Sequence, residues 1–478
     1  MRKASLVVVM ALTTAACSGG ETRPTTPDTT TTIGPAAATP ERVPTDHQGS
    51  PIPPAPTVPS GPLAPEVIAD LDLMLGDIGN TVDTAAIARL GESGDPRIAW
   101  LFADLLRFTQ RGFIGQTTVA AFEDLTGTEI TAPLPWAQVT DRLIAWDLPS
   151  PPGYVGWKRL LFEFFEPGWS PFFDDDDATI DWRWISWGGV LMDDRPLDAT
   201  HRPCPEGCIP ALNDPEVTDA AGGDWYPAEA IVFGVVVNGE ARAYPKNIME
   251  VHEMVNDTIG GRRIGLPYCT LCGSAQAYFT DGVSEGFEGA DTYELRTSGL
   301  LSRSNKVMYE FHTRSVFDTF TGVALSGPLQ DEGVALEMIS TRTSTWHDWR
   351  TAHPDTTIVA EDGGIGRLYP ADPLGARDAN GPIFPIGDVD PRLPVQEEVL
   401  GVITPDGTAI AFPVDEVARS LEDGELVETA GVRVITDGAG LGAETLDGKP
   451  LATHQAFWFA WSQFHPDTGV WTGVVLGG

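Results

Sequence analysis

The sequence predicts an α+β protein: a small N-terminal helical domain containing a HEAT-like pair, then a duplicated, mainly antiparallel β-rich body with short helices. Three observations lead there. Apolar residues recur at helical spacing from 66 to about 150. From about 151 the apolar runs shorten and are punctuated by Pro, Gly and Asn-Gly turn signals. A hairpin followed by a short helix then occurs twice, at Val232–Pro245 and at Val399–Pro413.

In chain order, Arg2 and Lys3 precede the apolar run Leu6–Ala16, which ends in Thr14-Ala15-Ala16-Cys17. A basic start, a short apolar run and small residues read as a signal peptide, and the run is too short to span a bilayer. A Cys directly after the small residues resembles the lipobox of bacterial lipoproteins. That resemblance implies cleavage before Cys17, acylation of its sulfur and an extracytoplasmic protein anchored to the membrane. No later segment offers about 18 apolar residues without charge, so no further span is expected. Residues 18–65 are Thr, Pro, Ala and Ser with almost no large apolar side chains. Such a stretch buries too little surface to offset its ordering entropy and is expected to be a disordered tether.

Residues 66–150 form the expected helical domain. Val67, Leu71, Met74 and Ile78 fall near helical spacing, one amphipathic segment stops at Gly91, and Pro96 opens the next, Ile98–Leu106. The first β-rich lobe is placed at 151–395. It opens with a Trp-rich stretch in which Trp182-Arg183-Trp184 alternates like a strand. Val232–Val237 is an apolar strand, Asn238-Gly239 favours a type I′ turn, and Ala241–Tyr244 returns. After Pro245, Ile248, Val251, His252 and Val255 occupy one face of a short helix, and strand Arg262–Pro267 delivers Tyr268 to Cys269-Thr270-Leu271-Cys272-Gly273. The second lobe, 396–478, repeats the hairpin and helix but has no cysteine, and Ser420 stands where the first copy has His252.

The chain carries 68 acidic against 30 basic residues, a net charge of −38. A polyanion of this kind is repelled by nucleic acid, which is excluded as a partner. Asp174–Asp177 lacks the alternating ligands and turn glycine of a calcium loop and reads as a solvated acidic loop.

Chemistry is expected at Cys269 and Cys272. Two thiols three positions apart can close a redox disulfide or grip a soft metal ion. His252 and Glu253 lie just upstream, His252 on the inward face. Cys204 and Cys208 form a second close pair in a Pro- and Gly-containing loop. Three readings stand side by side. In the first, Cys269 attacks and Cys272 resolves in thiol–disulfide exchange, with His252 as base. In the second, Cys269, Cys272 and His252 bind a soft metal, zinc or copper; four thiolates would suit zinc or an iron–sulfur centre. In the third, all four cysteines staple loops of a structural or partner-binding lipoprotein. No serine-hydrolase elbow, phosphate loop or dinucleotide fingerprint is present. Whether the chain is an enzyme, and on what substrate, stays open. A polar and basic loop, Ser298–Lys306, is read as a hairpin turn able to line a cleft.

The segments VFGVVVNGEARAYP, HEMVNDTIGG, YCTLCGSA, TSGLLSRSNKVMYE, FTGVALSGPL and HPDTTIV together resemble the DUF3179 family of uncharacterised bacterial proteins. The resemblance spreads over about 180–478, with a helical region added in front. It implies that Cys269, Leu271, Cys272, Gly273, His252 and Glu253 belong to family motifs, and it carries no established activity.

Overall fold

Six helices, α1 Pro65–Leu75, α2 Thr84–Gly91, α3 Ala99–Thr109, α4 Phe113–Thr126, α5 Pro135–Ala145 and α6 Tyr154–Phe165, open the folded part of this computed structural model. It describes residues 42–473, apart from 77, 80, 200–203, 205, 206, 284–286, 288–290, 376 and 378–380. Helix α2 starts where the Asp83 carboxylate accepts from the Ala85 and Ala86 N–H groups. Helix α4 ends at Gly127, at φ 69°. The inward faces pack Leu71, Met74, Ile87, Leu101, Phe102, Phe122 and Phe162 into one core. That core continues without a break into Ile185, Leu300, Leu301, Val307 and Tyr309 of a neighbouring sheet, so the helices have no separate interior. Lys158, fully buried, is held by the Asp104 carboxylate and the Ile185 carbonyl at this junction. Residues 43–64 lie against the helices: Ile52 and Leu63 are buried, and Trp146 Nε1 donates to the Pro53 carbonyl.

The strands follow. The first are β1 Ile185–Trp187, β2 Leu212–Asn213, β3 Val217–Asp219, β4 Ile231–Val237 and β5 Glu240–Pro245. Helix α7 (Lys246–His252) leads to β6 Met254–Ile259, β7 Arg262–Cys269, β8 Ser274–Ala275 and β9 Ala277–Phe279. Next come β10 Leu295–Ser302, β11 Asn305–Glu310, β12 Val316–Asp318, helix α8 Pro328–Asp331, β13 Met338–Ile339 and β14 Arg342–Thr345. Helix α9 (Trp346–Ala352) precedes β15 Thr357–Val359. The last part holds β16 Glu398–Ile403, β17 Ala409–Pro413, helix α10 Val414–Glu422, β18 Glu428–Thr429, β19 Val432–Thr436, β20 Leu441–Thr445, β21 Pro450–Leu451, β22 Thr453–Phe457, helix α11 Trp458–Phe464 and β23 Gly469–Val470. The protein is thus a mixture of helix and five small, mainly antiparallel sheets.

One expectation is corrected. Trp182–Trp184 is a 3₁₀ turn, opened by the Asp181 carboxylate accepting from the Arg183 N–H, and the strand begins only at Ile185. The local Asp cap competes with extension and wins over the aromatic alternation.

Two pairs of sheets share one plan. Sheet order β14-β4-β5-β15 matches β22-β16-β17-β23, each with an antiparallel hairpin at its centre and a parallel last pair. Order β13-β9-β7-β6 likewise matches β21-β20-β19-β18. The details also agree. Trp349 Nε1 donates to Thr356 Oγ1 at 2.9 Å and Trp461 Nε1 to Thr468 Oγ1 at 2.9 Å. The His353 ring lies 4.3 Å from Trp349 and the His465 ring 4.2 Å from Trp461. The pattern behind this, W-x-x-W-x-x-x-H-P-D-T, stands at Trp346–Thr356 and again at Trp458–Thr468. To this plan the first copy adds the C-x-x-C turn between β7 and β9, β10–β12 between β9 and β13, and the edge strands β2 and β3.

Candidate functional site

Strand β7 carries Cys269 to its end, and β8 returns antiparallel with Cys269 opposite Ser274. The chain reverses in a tight turn in which the Cys272 N–H donates to the Cys269 carbonyl at 3.2 Å. Gly273 exits at φ 60°, and a Cβ there would meet the Phe457 ring at 3.0 Å, so both backbone and space call for glycine. Phe457, from the second lobe, donates its N–H to the Cys272 carbonyl at 2.8 Å. The turn is therefore fixed from both lobes, and both thiols are free and buried, Cys269 2% and Cys272 0% exposed.

The β10–β11 hairpin closes the other side. Arg303 at φ 54° makes its turn and sets Ser304 over the thiols. Cys272 Sγ lies 3.3 Å and Cys269 Sγ 3.9 Å from the Ser304 carbonyl oxygen. Lys306, on β11, donates to the backbone carbonyl of Glu253, and its Nζ lies 3.9 Å from Glu253 Oε2. Thr270 Oγ1 donates to Glu253 Oε1 at 2.9 Å. Glu253 itself is at φ 51°, ending helix α7, which swings its carboxylate off the helix phase and toward the thiol turn.

These contacts set the charges. Burial pushes the Cys269 thiol up, but the Cys272 thiol and the Lys306 and Cys272 N–H groups donate to its thiolate and bring it below the usual thiol value. Burial raises Cys272 well above that value, and the Cys269 thiolate reinforces the effect. Burial also raises Glu253, against the opposing pull of Lys306 and Thr270. It lowers Lys306, against the attraction of Glu253 and Cys269. The result is an unequal pair: one thiol disposed to ionise, one disposed to keep its proton.

A cavity of about 190 Å³ opens onto Cys269, Thr270, Glu253 and Lys306, with apolar walls from Ile209, Leu300, Val307 and Phe384. Cys272 does not line it.

His252 is placed elsewhere. It is fully buried; Nδ1 lies 2.6 Å from the Pro210 carbonyl and Nε2 2.7 Å from the Tyr369 hydroxyl. A carbonyl only accepts, so Nδ1 carries the proton and Nε2 accepts from Tyr369. Burial holds this ring neutral, at about 4. With both nitrogens engaged, His252 makes no bond to the thiols, and the adjacent Glu253 takes the place beside them. Cys204 and Cys208 are joined in a disulfide, and the Leu191–Cys208 bridge ties that loop to the cavity wall beside Ile209. Among the described residues no three His, Cys, Asp or Glu side chains are grouped to hold a metal ion. Cys17 lies outside the described residues.

Sequence reasoning singled out the thiols but not Lys306, Ser304 or Thr270 as their neighbours. The signal available was the basic residue in the Ser298–Lys306 loop of so acidic a chain.

Residues 206–440 match a family model described as a protein of unknown function, DUF3179. No curated protein and no solved structure matches the chain.

Proposed function

Because this chain belongs to the DUF3179 family, whose matched stretch holds both thiols, we propose from the site's chemistry that it is a thiol–disulfide exchange protein, with Cys269 attacking and Cys272 resolving. The observation that supports this is the inequality of the pair: Cys269 borders the cavity and ionises the more readily, while Cys272 lies behind it and holds its proton. The Cys269 thiolate attacks one sulfur of a substrate disulfide, that S–S bond breaks, and the leaving thiolate takes a proton from solvent. Cys272 then passes its proton to the nearby Glu253 carboxylate and attacks Cys269 Sγ. The mixed disulfide breaks, the second substrate half leaves as a thiolate that takes a proton from solvent, and a Cys269–Cys272 disulfide remains. Glu253, more basic than an ordinary carboxylate through burial, serves as acceptor in place of His252.

The Cys272→Ser variant cannot resolve and is expected to accumulate a mixed disulfide on Cys269, visible by intact mass and reversed by dithiothreitol. Failure of the variant to form any adduct with any disulfide would remove the exchange reading.

Two wider parts of the reading go with it. The body is taken as two copies of one lobe, with α2 and α3 as a HEAT-like pair walling its first part. The protein is taken as an extracytoplasmic lipoprotein anchored through Cys17.

A further inference from the structure

The cavity in front of Cys269 says what kind of disulfide can reach it. Resting on the exchange reading above, we infer that the substrate is a low-molecular-weight disulfide carrying a carboxylate, not a disulfide presented by a folded protein. Cys269 is only 2% exposed, so a disulfide must enter the cavity to meet its sulfur. At about 190 Å³ the space is somewhat larger than the roughly 150 Å³ apolar cavity that accepts benzene. It therefore admits one half of a small disulfide, with the other half extending through the mouth. A loop of a folded chain brings two stretches of backbone with their side chains, which a space of this volume does not hold.

An anion finds its cation at the rim of the cavity and not inside it. Of the two carboxylates, Glu253 is occupied by Thr270 and Lys306, and Glu250 is paired with Lys246 one turn back on α7. The cations are Lys306 inside and Arg377 at the rim. The Arg377 side chain is exposed and has no partner among the described residues. An exposed guanidinium at the rim of a largely apolar channel is placed to take a carboxylate in a forked pair. The reaction balances as R–S–S–R plus the two thiols giving two R–SH and the Cys269–Cys272 disulfide.

The test uses the reduced full chain and follows Cys269 oxidation with three probes. They are 3,3′-dithiodipropionate, the neutral 2-hydroxyethyl disulfide of similar length, and a long peptide closed by one disulfide. The expected order puts the dicarboxylate at least about tenfold ahead of the neutral probe, with the peptide slowest. Arg377→Glu, on the surface, should bring the ratio of the dicarboxylate rate to the neutral rate down to one or below; an unchanged ratio would overturn the role of Arg377. Equal rates for the two small probes, or a peptide faster than both, would overturn the substrate class and leave the exchange reading standing. Silence from all three would remove both.

Discussion

His252 and Glu253 are neighbours in sequence and serve different purposes in space. His252 is a neutral ring locked between Pro210 and Tyr369, with its pKa lowered to about 4 by burial and by Arg367 and Arg195, against Asp193. Its pKa in the unfolded chain is the ordinary 6.5. Between those values the unfolded chain holds the extra proton, so this group's contribution is complete above pH 6.5 and is lost as pH falls toward 4. The full loss is on the order of 3 kcal/mol. A His252→Gln variant does not titrate. It should be less stable than the native chain by about 1–2 kcal/mol at pH 7, and the gap should close by pH 4.5. Urea midpoints at the two pH values check this, and a constant gap would show that the ring is not held neutral. The sequence made His252 inward-facing through helical periodicity, and it is. It could not reveal Glu253 at the thiols, because a positive φ at the helix end breaks the periodicity on which the argument ran.

At the scale of elements, each lobe lays a tryptophan flat on a strand glycine. A Cβ at Gly234 would lie 2.1 Å from the Trp349 ring, and one at Gly401 would lie 2.0 Å from the Trp461 ring. Neither ring can retreat, because each indole N–H is tied to the threonine just before the next strand. Gly234→Ala and Gly401→Ala should each destabilise by about 2–3 kcal/mol. Gly239→Ala removes a turn glycine at φ 84° with no atom within 4 Å of the new Cβ, so it should cost less, about 1 kcal/mol. Thermal or urea unfolding ranks the three, and a mild effect at both strand glycines would mean that the indoles do not sit there. The hairpin repeat was legible because Asn-Gly and Asp-Gly turns and a following Pro are local signals. The tryptophan repeat was equally present in the sequence but lies far from each hairpin. Only the sheets bring Trp349 back over Gly234 and Trp461 over Gly401.

For the whole molecule, composition was the most direct guide. The net charge of −38 opposes contact with another polyanion, and none of the described helices is long and apolar enough to cross a membrane. The sequence could not show that the helices lack a core of their own, since long-range packing of Leu300, Leu301 and Tyr309 leaves no local trace. If Cys17 is the lipid attachment point, the expressed chain should sediment with membranes and resist salt extraction, and Cys17→Ser should appear in the soluble fraction. Equal fractionation of the two would sink the anchor.

The contact of Phe457 with the thiol turn gives the duplicated plan a further meaning. In the vocabulary of oligomers, the body is a fused pseudo-heterodimer in which one subunit carries the thiol turn and its cysteine-free sister clamps that turn from behind. Severing the two halves would leave the Cys272 carbonyl without its Phe457 donor, in the way that diluting an obligate dimer bares its interface.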